Sequence, residues 1–282
     1  MHISWKSHLN FLLGCLAASV SLAGNALAAE KILFFGNSYT FGALAPAALK
    51  LGGVPKLVEA IAASKGKKAE VSMVVAGGKD LGYLLHQPMT DTALTSKQWD
   101  CVVLQDFSTK TTHLGNLAES LANGETFYRK IRAHSPQAGI VLYETWARGK
   151  GNEFYTGAST KNSFINPDQM LSEIERGYEQ MDSRLEALEP GEQSSLAPVG
   201  EAFARCQKEN PGIELYSCDH HHASEQGYYL SALVIYATIF HDSPVGASRE
   251  FPGLKIDSTV ATELQRVAAE VAGTGVSVAK SF

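Results

Sequence analysis

The chain has 282 residues, 24 Lys and Arg against 29 Asp and Glu for a net charge of −5 at pH 7, 45% hydrophobic residues and four cysteines. That length suits one large domain with a substantial core, and mild acidity without a basic run argues against a nucleic-acid partner. Four cysteines with no C-x-x-C leave a zinc ribbon or a dithiol redox centre unsupported.

The first stretch reads as a targeting segment. Lys6 precedes an apolar run from Phe11 to about Gly24, which Asn25-Ala26-Leu27-Ala28 closes with small residues. This is the pattern of a secretory signal peptide spanning 1–28 and cut after Ala28. A membrane anchor needs a longer apolar run and a basic stop-transfer cluster. A lipoprotein signal at Leu12-Leu13-Gly14-Cys15 would turn polar after Cys15, where this chain stays apolar. Cleavage leaves residues 29–282, read as one domain; losing Lys6 takes the net charge from −5 to −6. The expected location is secreted or periplasmic, with no stable membrane insertion after cleavage. In an oxidising compartment Cys206 and Cys218, close in sequence and flanking a loop, are the best-placed disulfide pair, with no bridge as the near alternative. Cys101 reads as a buried free thiol.

Five apolar, β-branched runs follow in order: 31–35 (KILFF), 70–75 (EVSMVV), 101–104 (CVVL), 139–143 (GIVLY) and 195–199 (SLAPV), the last weakened by Pro198. Short continuous apolar runs suit strands buried on both faces of a parallel sheet. Between and after them, apolar residues fall at helical spacing: Val54 to Ala62, Leu117 to Ile131, Met170 to Leu185, Tyr229 to Ala237, and Val260 to Val271 before a stop at Gly273. Alternating strands and helices predict an α/β fold with helices on both faces. The one long irregular stretch, 147–167, follows the fourth strand and has the composition of a functional loop.

Ligands of such sheets bind beyond the carboxyl ends of the strands. After the first strand, Gly36-Asn37-Ser38 can project a hydroxyl, although taken alone it is also the composition of an ordinary turn. After the second, Gly77-Gly78 lets backbone N–H groups approach a ligand, as an oxyanion hole requires, and equally makes a plain turn. After the third, Gln105 offers an amide. After the fourth, Trp146 is either a pocket wall or core, and Arg148 meets either an anionic substrate or water. The richest segment is Asp219-His220-His221-His222. Asp219 lies three residues before His222, so within one turn its carboxylate can accept from Nδ1–H and leave Nε2 as a base. Asp and His also ligate metals, but adjacent rings are expected to diverge and no Cys or Glu set completes a shell, so no metal and no cofactor are expected.

Taken together, these blocks resemble the SGNH (GDSL-like) hydrolase superfamily. Gly36-Asn37-Ser38 looks like its first block with Asn37 in the place of Asp, Gly77-Gly78 like its glycine block, Asp100 to Gln105 like the strand feeding its third block, and Asp219 to Gly227 like its D-x-x-H block. The resemblance implies a three-layer α/β/α sandwich on a mainly parallel five-stranded sheet, flavodoxin-like, and a Ser-His-Asp triad without G-x-S-x-G. It assigns Ser38 as nucleophile, His222 as base, Asp219 as its orienter, and the N–H groups of Ser38 and Gly78 as oxyanion donors, with Gly77 the neighbouring alternative. The chain lacks the Gly-x-Asn-Asp of the third block, which leaves Gln105 as the substitute donor, and Ala223 stands where a Pro often follows the catalytic His; His221 is the alternative base. The expected substrate is a small-molecule or glycan ester, by preference an O-acetyl group on carbohydrate. The alternatives are a lipid ester or thioester, and a non-catalytic glycan-binding protein on the same fold.

Overall fold

The computed structural model describes residues 28–157, 164–188 and 194–275. All but the last residue of the expected signal peptide, and part of the long loop after the fourth strand, lie outside the described residues. Five strands form one sheet: β1 (Glu30–Gly36), β2 (Ala69–Val75), β3 (Cys101–Leu104), β4 (Gly139–Tyr143) and β5 (Ser194–Ala197). Their order is β2-β1-β3-β4-β5 and every neighbouring pair is parallel. Pro198, read above as part of the last strand, instead follows it and caps a helix, where its missing N–H costs nothing.

Short helices α1 (Ser38–Phe41) and α2 (Pro46–Leu51) and the longer α3 (Gly53–Ser64) connect β1 to β2. Next come α4 (Leu81–Leu85) and α5 (Pro88–Thr95) before β3, α6 (Leu117–His134) before β4, and α7 (Glu153–Thr156) and α8 (Pro167–Glu186) before β5. The chain then runs through α9 (Val199–Glu209) and α10 (Glu225–Phe240), a small antiparallel ribbon of β6 (Glu250–Phe251) and β7 (Leu254–Lys255), and α11 (Ser258–Val271).

Side chains alternate across the strands, so consecutive apolar residues feed two cores. Ile32, Phe34, Val103, Val141 and Tyr143 pack with α3, α9, α10 and α11. Leu33, Phe35, Val102, Leu104, Ile140 and Leu142 pack with α4, α6 and α8. Each such side chain contributes about 1.5–3 kcal/mol by leaving water. The result is a three-layer α/β/α sandwich. Helix α10 is buried on every side from Gly227 to Thr238, so its sequence is apolar throughout rather than striped. Helix α9 went unread in the sequence, although Val199, Ala202, Phe203 and Cys206 mark its inner face.

Cys101 is buried and free as expected, but so is Cys206, while Cys218 is exposed and free. The proposed bridge is not formed, because Cys206 points into the core from α9 and Cys218 lies in a surface turn.

Candidate active site

The strand β1 ends in a turn fixed by buried polar side chains. Gln105, at the end of the neighbouring β3, accepts at Oε1 from the Asn37 N–H and the Thr40 hydroxyl, both at 2.9 Å. Asn37 caps α1 by accepting from the Tyr39 N–H at 3.2 Å, and donates through Nδ2 to the Lys79 carbonyl at 2.9 Å. Gly36 is needed here, because a Cβ would collide with the Thr40 hydroxyl and sit 2.7 Å from Gln105 Oε1. The turn leaves Ser38 at the start of α1, partly exposed, while its neighbours Asn37, Tyr39 and Thr40 are buried.

The His-rich loop is built by local hydrogen bonds. Ser217 N–H donates to the His222 carbonyl at 2.8 Å, and His220 adopts a left-handed backbone at φ 50° to turn the chain. Asp219 Oδ1 accepts from the N–H groups of His221 and His222 at 3.0 and 2.9 Å, and Oδ2 lies 2.7 Å from His222 Nδ1. Burial alone would raise the Asp219 carboxyl; the hydrogen bonds from His222 and the two backbone N–H groups outweigh it and hold the carboxyl below its ordinary value. An ionised Asp219 keeps the proton of His222 on Nδ1 and leaves Nε2 as acceptor. The alternative base, His221, is pushed down to about 3 by burial and by the charges of Arg148 and His222, which makes it a poor proton acceptor.

Two contacts bring the ends of the chain together. Tyr228, in the first turns of α10, donates its hydroxyl to the carbonyls of Ser38 at 3.2 Å and Ala43 at 3.0 Å. Glu225 accepts from the N–H groups of Ala47 and Ala48 at 2.8 and 2.9 Å, placing a carboxylate on the N-terminus of α2. Tyr39 then lies edge-on to both His221 and His222, with ring centroids 5.4 and 5.8 Å away. Neither Glu225 nor Tyr228 was singled out from sequence. Among the described residues Ser38 Oγ has no hydrogen-bond partner, His222 included.

The backbone N–H groups of Ser38 and Gly78 have no acceptor among the described residues. Gly78 sits at φ 69° with open space where a Cβ would stand, and the Lys79 carbonyl beside it is the acceptor for Asn37, so the glycine turn is tied to the serine turn.

Gln105 and Trp146 make bracing contacts, and Arg148 is buried. Gln105 is buried with its oxygen engaged by Asn37 and Thr40, and its amide nitrogen donates to the Asp106 carbonyl, so it braces the turn. Trp146 is fully buried, stacked between Tyr39 at 4.0 Å and Phe203 at 4.5 Å, and its Nε1 donates to the His221 carbonyl. It is a brace between the two halves of the site and not a pocket wall. Arg148 is only 8% exposed rather than solvated, with its guanidinium 4.2 Å from the centre of the Phe154 ring.

The expectation that the histidine rings diverge is also corrected. His221 and His222 lie 4.3 Å apart, and with Asp219 they offer ligand atoms within 4.8 Å of one another. Such a cluster has the donors for a cation, which would compete for the atoms that now join Asp219 to His222.

No family model matches the chain, and no curated protein is similar to it in sequence. Solved structures are similar in fold. A DUF4886 family protein from Bacteroides uniformis is 17% identical with a TM-score of 0.69, covering 88% of this chain and 97% of that one. A protein from Parabacteroides merdae assigned as a GDSL-like lipase is 15% identical with a TM-score of 0.54, covering 75% and 95%. The psychrotrophic esterase EstA from Pseudoalteromonas sp. is 14% identical with a TM-score of 0.52, covering 75% and 97%. What is shared at these identities is the architecture: the chain has an SGNH/GDSL-like hydrolase fold.

Proposed function

We propose that this protein is an exported serine ester hydrolase that removes O-acyl groups, by preference O-acetyl, from carbohydrate or cell-envelope glycan. The observation that carries the reading is the 2.7 Å pair of Asp219 and His222 on a loop whose following helix is bonded to the backbone of Ser38. Esterase and lipase names among proteins of the same fold support ester hydrolysis as the class of reaction. Export rests on the pattern of residues 1–28, and a mature chain beginning at Ala29 is its test.

In this mechanism neutral His222 takes the Ser38 proton at Nε2 as Oγ attacks the ester carbonyl. Ionised Asp219 stabilises the imidazolium. The N–H groups of Ser38 and Gly78 receive the oxyanion, each such donor being worth about 10²–10³ in rate. His222 then protonates the departing alcohol, and water resolves the acyl-enzyme by the same route. The hydrogen bond from Ser38 to His222 forms with substrate in place, since such bonds are commonly long in unliganded enzymes.

The test is a panel of p-nitrophenyl esters from acetate to long chains beside acetylated glycans. Acetate and acetylated glycan are expected to be turned over fastest. Ser38→Ala and His222→Ala should each lose about 10³-fold or more in kcat, and the double variant little beyond either, because the two act as a unit. Full activity in Ser38→Ala would overturn the scheme, and a preference for long acyl chains would move the substrate to lipid.

A further inference from the structure

We infer that Arg148 and the cavity it lines form an anion subsite for the alcohol part of the substrate, and that this part carries a carboxylate, as a uronate-type sugar does. The inference rests on the ester-hydrolase reading and names its substrate class.

A cavity of about 690 Å³ opens after the β4 end, between the start of α8 and the length of α9, a size that accommodates a sugar unit. Arg148 lines it. This side chain is more than nine-tenths buried, its Nε is out of reach of water with no partner, and no carboxylate meets it among the described residues. Phe154 covers one face of its guanidinium, but a ring contact leaves the in-plane donors unused. A buried, unpaired cation is costly, and a planar carboxylate is the group that satisfies this fork.

Around it Lys150, Arg205 and Lys208 balance Asp168, Glu201 and Glu209, so Arg148 supplies the excess positive charge. Lys150 and Lys208 have no acidic partner among the described residues, whereas Glu209 is already paired with Arg205 and Arg266. The other two acids, Asp168 and Glu201, lie in the first turns of α8 and α9, where the helix termini hold negative charge. Tyr216, partly exposed, adds aromatic surface of the kind sugar rings pack against.

The cavity adjoins the base loop through the segment that carries Arg148. The segment carrying Arg148 is laced to the base loop: Gly149 N–H donates to the His220 carbonyl at 2.8 Å, and Asn152 Nδ2 to the Asp219 carbonyl at 3.3 Å. Neither Ser38, Gly78 nor His222 lines it, so the subsite would hold a part of the alcohol remote from the scissile ester.

Isothermal titration tests this without turnover, using unacylated trigalacturonate and neutral galactotriose on the wild-type protein. The charged trimer should bind about tenfold or more tightly than the neutral one, with the difference shrinking at high salt. Arg148→Gln should erase the difference and Arg148→Lys restore part of it. Equal binding of the two trimers, or an unchanged preference in folded Arg148→Gln, overturns the proposal. If Arg148→Gln does not fold, the wild-type contrast still decides. Faster hydrolysis of p-nitrophenyl hemisuccinate than of the acetate, with no trigalacturonate binding, would place the carboxylate on the acyl group and equally overturn it. Failure of the esterase reading would appear separately, as absent turnover of every ester.

Discussion

The two halves of the site are held in different ways. The serine turn is anchored from beneath by side chains of other strands: Gln105 reaches across 68 residues to the Asn37 N–H, and Asn37 reaches across to the glycine turn. The histidine loop is anchored mainly by itself, through Asp219 accepting from its own neighbours, and is then laid against the segment after β4 through backbone groups. In the first half the bracing side chains of Asn37, Thr40 and Gln105 are buried and paired, while in the second the Asp219 and His222 side chains stay 32% and 17% exposed. A braced serine turn and a locally built, partly wetted histidine loop suit the proposed reaction, in which the histidine must accept a proton, hand it on and admit water.

That contrast can be broken from either side. The largest effect is expected from Asp219→Asn. It keeps the shape of the loop but presents a neutral amide to His222, so the wrong tautomer is favoured and kcat should fall by about 10³–10⁴ with little change in melting temperature. Gln105→Leu attacks the other half. It strands the Asn37 N–H and the Thr40 hydroxyl in the interior, and denaturant unfolding should register a loss of about 1–3 kcal/mol. Activity should drop with it, because the turn bearing Ser38 loses its brace. If Gln105→Leu lowered activity while leaving stability intact, Gln105 would be acting on the substrate instead.

A smaller effect is expected at Glu144, which follows β4 and accepts from the Glu201 N–H at the start of α9. Burial, with the charges of Glu175 and Glu201 adding to it, pushes its carboxyl up to about 8. The folded protein therefore keeps a proton that the unfolded chain releases near 4.5. Stability from this group is full below about 4.5, declines as pH rises toward about 8, and is level above. Glu144→Gln should remove the decline, so its melting temperature relative to wild type should climb between those values, by the equivalent of roughly one to a few kcal/mol. A difference that stays constant with pH would mean that Glu144 is ionised in the fold.

The central strands β1, β3 and β4 were legible in the sequence because they are buried on both faces, which turns a strand into an uninterrupted apolar word such as that at 101–104. The Asp219–His222 pair was legible because both partners sit in one turn. What could not be read was set by distant contacts. Gln105 looks like any polar residue at a strand end until Asn37 and Thr40 are brought to it. Trp146 and Arg148 carry no local signal that separates wall from core. The histidine rings were expected to diverge as neighbours in an extended chain would, but the left-handed turn at His220 and the facing Tyr39 bring His221 and His222 together.

The central claim is that Ser38 is the activated nucleophile of this arrangement, and labelling with a fluorophosphonate, read by peptide mass spectrometry, tests it most directly. The account predicts one adduct, on Ser38, formed rapidly in wild type, slowed by about 10³-fold or more in His222→Ala and absent in Ser38→Ala. An unmodified Ser38 in folded wild-type protein, or an adduct formed equally fast without His222, would contradict it.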